Sequence, residues 1–355
     1  TFIIIIIIII INKKKNYGQF FTTNYKYILE GLTIPNNIIN IIEPFTGNGD
    51  LLNFVEEKEK YNIECYDIDP KNDNTKKQDT IKNPPNYKDK FILTNPPYLA
   101  RNKSDDKSCF DLYNTNDLYK CFLEELIKNN PLGGIIIIPL NYWCSIRESD
   151  INLRKRFLKV FNIIRLNIFE EQVFDDTTYT VCSFQFELDK SSNKVHSVPI
   201  KIYPSKKDLN IILNQDNNYT IGGNIYKLPQ NKNIKIDRLT SKNKSKTNLI
   251  TNINMKCMDD SLNSKICLSY VEDDDRILDD TKKLSNRSYG TLLIEPPITK
   301  EKQKDLVKKF NDYLNSEREK YNSLFLTNYR ESKDIARKRI SFGLIYEITN
   351  YLLNQ

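Results

Sequence analysis

The sequence predicts an α/β fold: a mostly parallel sheet with flanking helices in the first half, carrying an antiparallel edge strand, and a mixed α+β region after it. Three observations carry this expectation. Short apolar runs alternate with helical stretches from residue 16 to 189, the signature of repeated β/α/β units. A glycine-rich turn follows the first of those runs. After Asp189 the texture changes to a polar stretch of Lys, Ser and Asn.

The candidate strands are residues 38–42, 63–66, 91–94, 134–139, 163–169 and 180–188. Between the third and fourth, Leu118, Phe122 and Leu126 recur at four-residue spacing, with Tyr119 and Leu123 beside them, so a helix there packs one apolar face on the sheet. The last strand alternates apolar and polar residues, which predicts an antiparallel edge. Residues 190–194 read as a linker. Beyond them come short β-like pieces at 200–203 and 219–228, with Gly222-Gly223 as a turn. The chain therefore divides into a low-complexity stretch, 1–15, a first domain, 16–189, and a second region, 190–355. In that region residues 231–248 carry six Lys or Arg and one Asp, and Ile340, Leu344, Ile348 and Leu352 share a helix face that starts near Arg337-Lys338-Arg339.

Composition narrows the function classes. The 355 residues allow about two domains. A hydrophobic fraction of 39% is too high for a disordered chain. The isoleucine run at residues 3–11 is shorter than a bilayer span and lacks the basic start of a signal peptide, so no membrane partner is expected. Seven Cys with no CxxC pair predict a reducing, cytoplasmic-type compartment rather than a disulfide framework. The single histidine, His196, has no acidic or cysteine companions, so no metal is expected and His196 reads as a loop or strand residue. A net charge of +7 permits a polyanionic partner without requiring one.

Two motifs carry chemistry. The first is Glu43-Pro44-Phe45-Thr46-Gly47-Asn48-Gly49-Asp50 at the end of a strand, where Gly47 and Gly49 let backbone approach a ligand. The next strand ends in Asp67-Ile68, where doubly wound folds hold ribose hydroxyls on an acid. Leu52 breaks the full dinucleotide pattern, so a nucleoside with little phosphate fits better than a pyrophosphate. S-adenosylmethionine is such a ligand. The second motif is Asn95-Pro96-Pro97-Tyr98 at the end of another strand. The prolines donate no hydrogen bonds, so the loop presents acceptors: the Asn95 side-chain oxygen and the Pro96 carbonyl are expected to take the two hydrogens of an exocyclic amine while Tyr98 stacks on the base. Asn83-Pro84-Pro85 repeats the letters without a preceding apolar strand and reads as a surface turn.

Together these residues resemble the amino-group DNA methyltransferases that make N6-methyladenine. The resemblance covers roughly residues 16 to 188 and implies an S-adenosylmethionine-dependent, Rossmann-like catalytic domain at 16–189. Tyr17 to Thr22 looks like the family's extra N-terminal motif. The cofactor-binding residues it implies are Phe21, Thr22, Glu43, Pro44, Phe45, Gly47, Gly49, Asp67, Ile68, Asp79 and Thr80. The catalytic set it implies is Asn95, Pro96, Pro97 and Tyr98, with Phe174 packing on a flipped base. The motif order looks like that of the γ group, whose target-recognition domain is C-terminal, so 190–355 is expected to bind double-stranded DNA. Lys242, Lys244, Lys246, Arg337, Lys338 and Arg339 are the candidate phosphate contacts. The resemblance implies a restriction-modification or similar system, in which a cognate restriction endonuclease is a further partner. Two alternatives stay open: methylation of an RNA base amino group or a protein glutamine amide, and a non-catalytic DNA-binding or specificity module.

Overall fold

A computed structural model describes residues 22–174, 180–189, 191, 195–279, 285–331 and 336–355. The chain forms two compact units, Thr1–Asn214 and Gln215–Gln355. The low-complexity stretch at 1–15 and Phe21 lie outside the described residues.

The first unit is built on nine strands: β1 (Asn40–Glu43), β2 (Asn62–Asp67), β3 (Thr75–Lys77), β4 (Phe91–Thr94), β5 (Gly133–Pro139), β6 (Phe161–Phe169), β7 (Val181–Leu188), β8 (His196–Tyr203) and β9 (Lys207–Leu213). They form one Rossmann-like sheet in the order β3-β2-β1-β4-β5-β7-β6-β8-β9. Strands β3, β2, β1, β4 and β5 run parallel. The order reverses between β1 and β4, the crevice where open α/β sheets bind ligands. The helices are α1 (Tyr25–Ile28), α2 (Ser108–Tyr113), α3 (Leu118–Asn129), α4 (Asn141–Cys144) and α5 (Glu148–Val160). In α3, Tyr119, Phe122, Leu123 and Leu126 are buried, the face read from the sequence.

Three expectations are corrected. Strand β7 is antiparallel, but it lies between β5 and β6 rather than at an edge. Its polar positions are absorbed by bonds: Ser183 Oγ donates to the Ile28 carbonyl, and Gln185 Oε1 accepts from the Thr33 amide at 3.0 Å. The boundary expected near 190 falls inside the sheet, because β8 pairs in parallel with β6 and β9 closes the edge against β8. Residues 219–228 are not β: they hold turns and a 3-10 helix, Gly223–Lys227, entered through Gly222 at φ 68°.

The second unit is α+β. Strands β10 (Lys235–Arg238), β11 (Ile250–Lys256), β12 (Cys267–Tyr270) and β13 (Tyr289–Glu295) form an antiparallel sheet in the order β10-β13-β11-β12. A hairpin pairs β14 (Thr327–Glu331) with β15 (Ala336–Arg339). Helix α6 (Lys300–Lys320) packs on β12 and β11, and α7 (Phe342–Leu353) packs on β10. Each has a side-chain cap: Thr299 Oγ1 accepts from Lys302 N at 3.3 Å, and Ser341 Oγ from Leu344 N at 3.1 Å. A bidentate pair, Arg318 to the buried Asp259 at 3.0 and 2.6 Å, ties α6 to the loop after β11.

Gly134 packs closely against the strands on both sides of β5. A Cβ there would lie 2.7 Å from both Ile92 Cβ and the Ile92 carbonyl and 2.9 Å from the Phe186 ring. Gly134→Ala is therefore expected to destabilise the first unit by about 1–3 kcal/mol. Urea denaturation checks this: an unchanged midpoint would mean that β4 and β7 part without cost.

Candidate active site

The site grows from the ends of β1, β2 and β4. After β1, Gly47 (φ 55°) and Gly49 (φ 83°) turn the chain in the left-handed region that favours glycine. The turn is tied down by its neighbours. Thr46 N donates to the Tyr66 carbonyl at 2.9 Å, and Gly47 N donates to Asp67 Oδ2 at 2.8 Å. Asp67 Oδ1 accepts from Asp69 N at 2.8 Å, so this acid at the end of β2 braces both strands' loops while each oxygen keeps a further lone pair. The turn runs straight into a five-residue 3-10 helix, Asp50–Phe54.

These loops enclose a cavity of about 380 Å³. Its wall includes Thr22, Glu43, Phe45, Gly47, Asp67, Ile68, Asp79, Thr80, Asn95 and Pro97, so residues from five separate stretches of sequence converge. Thr80 Oγ1 donates to the Pro44 carbonyl at 2.8 Å, and Asp79 Oδ1 accepts from Ile81 N and Lys82 N at 3.2 and 3.1 Å. The Phe45 ring stands edge-on to Phe122, 5.1 Å between centroids. Pro44, Gly49, Pro96, Tyr98 and Phe174 do not line the cavity. Gly49 shapes the turn from behind, and Phe174 is buried at 4% exposure in the segment after β6 rather than presented to the cavity.

Sequence reasoning passed over Asp50, Leu99 and Leu118, which also line the cavity. Asp50 directly follows Gly49, so the turn itself was the signal. Asp50 matters because it adds a carboxylate close to Glu43 and Asp67 in the same wall. Glu43 is 1% exposed, and Glu43 Oε2 and Asp50 Oδ2 have no hydrogen-bond partner among the described residues. Burial, followed by the charges of Asp67 and Asp50, holds the Glu43 carboxyl well above the ordinary carboxylate range. Unpartnered buried carboxyl oxygens around a cavity call for a cation or a donor. Among the described residues no group of three or more His, Cys, Asp or Glu is arranged to hold a metal ion. An organic cation with an adenosyl group suits a wall that combines these acids with the apolar side chains of Phe45, Ile68 and Leu118. The residues fit S-adenosylmethionine.

Asn95 closes the cavity at the end of β4. Its Nδ2 donates to Thr22 Oγ1 at 3.0 Å, and its Oδ1 lies 2.5 Å from the Tyr98 hydroxyl. The Tyr98 ring differs from expectation: it is enclosed, 4% exposed, and edge-on to Tyr119 at 6.1 Å. The Asn83 to Pro85 repeat is a surface bend, although Tyr87 after it is buried.

In the second unit Lys242 and Lys244 are exposed on turns, and Lys246 is exposed just before a short 3-10 helix, Thr247–Leu249. The other basic trio is corrected at Lys338. Arg337, Lys338 and Arg339 lie on β15, just before α7 begins at Phe342, as expected; Lys338, however, is 4% exposed, and Arg339 donates to the Arg287 carbonyl. Lys338 thus cannot reach a phosphate from this fold. The seven cysteines are free, and among the described residues no helix is long and apolar enough to cross a membrane.

Comparison with known proteins gives the following. No family model matches. The chain is similar to the type II methyltransferase M.HincII of Haemophilus influenzae, with 26% identity over 208 residues, 52% of this chain and 39% of that protein. It is equally similar to M.HindII of Haemophilus influenzae strain Rd, with 26% identity over 208 residues and 38% of that protein covered. The chain thus spans under two fifths of the length of these curated relatives. Among solved structures, it overlaps the type I restriction-modification methyltransferase subunit from Streptococcus thermophilus at TM-score 0.38 and 15% identity, over 57% of this chain and 50% of that one. It overlaps the type IIG restriction endonuclease BpuSI at TM-score 0.39 and 14% identity, over 65% and 36%.

The raised Glu43 carboxyl fixes the sign of a stability effect. The folded protein holds this proton more tightly than the unfolded chain. The contribution is therefore intact below the ordinary carboxylate range and lost as pH rises through the elevated folded value. Glu43→Gln, which mimics the protonated acid, should stabilise the cofactor-free protein at neutral pH by roughly 1–3 kcal/mol, with the gain fading as pH falls towards about 4.5. Thermal melts across that range check it. A variant less stable than wild type at pH 7 would show that Glu43 has a compensating partner.

Proposed function

We propose that this chain is a site-specific DNA methyltransferase that transfers a methyl group from S-adenosylmethionine to N6 of an adenine flipped out of duplex DNA, within a restriction-modification or similar system. The observation that carries the reading is the meeting of two motifs in one cavity: the carboxylate wall at the ends of β1 and β2, and Asn95 at the end of β4. The similarity to two type II methyltransferases over 208 residues supports it.

The proposed division of labour follows from the residues. Glu43, Asp50 and Asp67 would hold the cationic and ribose parts of the cofactor, and Phe45, Ile68, Asp79, Thr80 and Leu118 its adenosine. Bound S-adenosylmethionine supplies a methyl group already activated by its sulfonium. The chain's own task is positioning and amine polarisation. Asn95 Oδ1 accepts one hydrogen of the adenine amine, and the Pro96 carbonyl, once the loop adjusts to substrate, the other. Phe174 would have to be uncovered to touch the base. Lys242, Lys244 and Lys246, with Arg337 as a weaker candidate, would meet phosphates and set register without reading sequence. A cognate endonuclease would cut the same site when unmodified.

Labelled S-adenosylmethionine incubated with unmethylated DNA, RNA and protein separates the acceptor classes, and sequencing that reports N6-methyladenine gives the atom and context. Asn95→Ala should lower transfer to DNA on the order of 100-fold or more and leave cofactor affinity within about two-fold. Equal loss of cofactor binding in calorimetry would remove Asn95 from the amine and place it in the cofactor site. Label in RNA or protein alone would overturn the DNA reading.

A further inference from the structure

Three arginines of the second unit converge on the turn that precedes β13. Arg287 sits in that turn with its side chain exposed. Arg238, the last residue of β10, donates from Nη1 to the Asn286 carbonyl, and Arg339, the last residue of β15, donates from Nη2 to the Arg287 carbonyl. The Arg238 stem lies across Gly290 of β13, where a Cβ would stand 2.7 Å from Cδ. Its guanidinium lies over the Phe342 ring, 4.9 Å from the centroid, and Phe342 in turn stacks on Tyr346 at 6.5 Å with 10° between the ring planes. Among the described residues none of the three arginines has a carboxylate partner. Asp279 is already engaged, its Oδ1 accepting from Ser241 N at 2.8 Å. The turn that carries Lys242 and Lys244 is tied to the same strand, because Asn243 Nδ2 donates to the Arg238 carbonyl at 2.9 Å.

We propose that Arg238, Arg287 and Arg339 form a phosphate clamp for the backbone of duplex DNA. This rests on the DNA reading above and adds to it a site of a different kind from the lysines. Like charges repel, so three guanidiniums gathered without an acid are unfavourable in the free protein, and a polyanion relieves that strain. Guanidinium is also the group that matches phosphate oxygens two at a time. Arg238 and Arg339 are held by carbonyls, and Arg238 by an aromatic face as well, so their remaining N–H donors are ordered before any ligand arrives and little side-chain freedom is lost on binding. Lys242 and Lys244, exposed on their turn, supply charge without that order. The lysines thus contribute attraction, and the arginines fix where the backbone lies.

Anisotropy of a fluorescein-labelled, random-sequence DNA duplex of about 20 base pairs, titrated with the full chain between about 50 and 200 mM salt, tests the clamp. The Arg287 side chain makes no hydrogen bond or ion pair among the described residues, so Arg287→Gln leaves the fold intact. It should reduce the slope of log K against log salt by about 0.9 and weaken binding about eight-fold at about 0.1 M salt. Arg238→Lys keeps the charge and should keep the slope, yet bind at least about three-fold more weakly at every salt concentration, because an ammonium cannot hold the Asn286 carbonyl, lie flat on Phe342 and still present a fork to phosphate. A full wild-type slope in Arg287→Gln overturns the clamp, and wild-type affinity in Arg238→Lys overturns its pinned geometry. If circular dichroism shows Arg238→Lys unfolded, Arg287→Gln decides alone. A wild-type chain that binds no duplex overturns the DNA reading and the clamp with it; a wild-type chain that binds duplex no better than its variants overturns the clamp and leaves that reading standing.

Discussion

Glu43 ends the first strand of the sheet with a carboxyl that burial has stripped of water and that no donor has rescued. Nothing in the packing of β1 requires an acid there, since Ile41 and Ile42 already fill the core beside it. Asp67 from β2 and Asp50 from the glycine turn bring two more carboxylates to the same space. A buried acid without a partner is among the costlier features a fold carries. Around a cavity of this size, the arrangement makes physical sense as a socket for a cation, with the cost recovered when the cation arrives.

The sheet explains why the socket lies where it does. Strand order reverses between β1 and β4, so their loops part and leave a crevice, and β2 stands close enough for Asp67 to reach back to the Gly47 amide. Asn95 follows β4 directly, which brings a carboxamide to the far wall of the same crevice. Glu43, Asp67 and Asn95 stand at or directly after strand ends, and β1 and β4 are buried along almost their whole length, so these three rest on the sheet rather than on long loops.

How much of this was legible follows from where sequence signals are strong. Strand β4 was readable to its last residue because four buried apolar or β-branched positions stop at Asn95-Pro96, which cannot continue a ladder. Helix α3 was readable from its four-residue apolar spacing. Strand β3 was invisible, since Thr-Lys-Lys carries no apolar signal and pairs only through its backbone with β2. The alternation of β7 suggested one wet face, but Ser183 and Gln185 satisfy themselves within the core, and polarity misled. The same limit applies in the site. Sequence pattern identified Asn95, Asp67 and the glycines by type and position, whereas the inward turn of Tyr98 and the missing partner of Glu43 are facts of packing that no local pattern encodes.

The central claim, that the acidic cavity is a cation socket tuned by Glu43, is tested most directly by calorimetric titration of S-adenosylmethionine in buffers of different ionisation enthalpy between about pH 5 and pH 8. A carboxyl that holds its proton in the free protein and faces a cation in the complex must release that proton on binding. The account predicts net proton release within this window, affinity that tightens as pH rises, and loss of the release in Glu43→Gln. Binding with no proton release at any pH, or no binding at all, would contradict it.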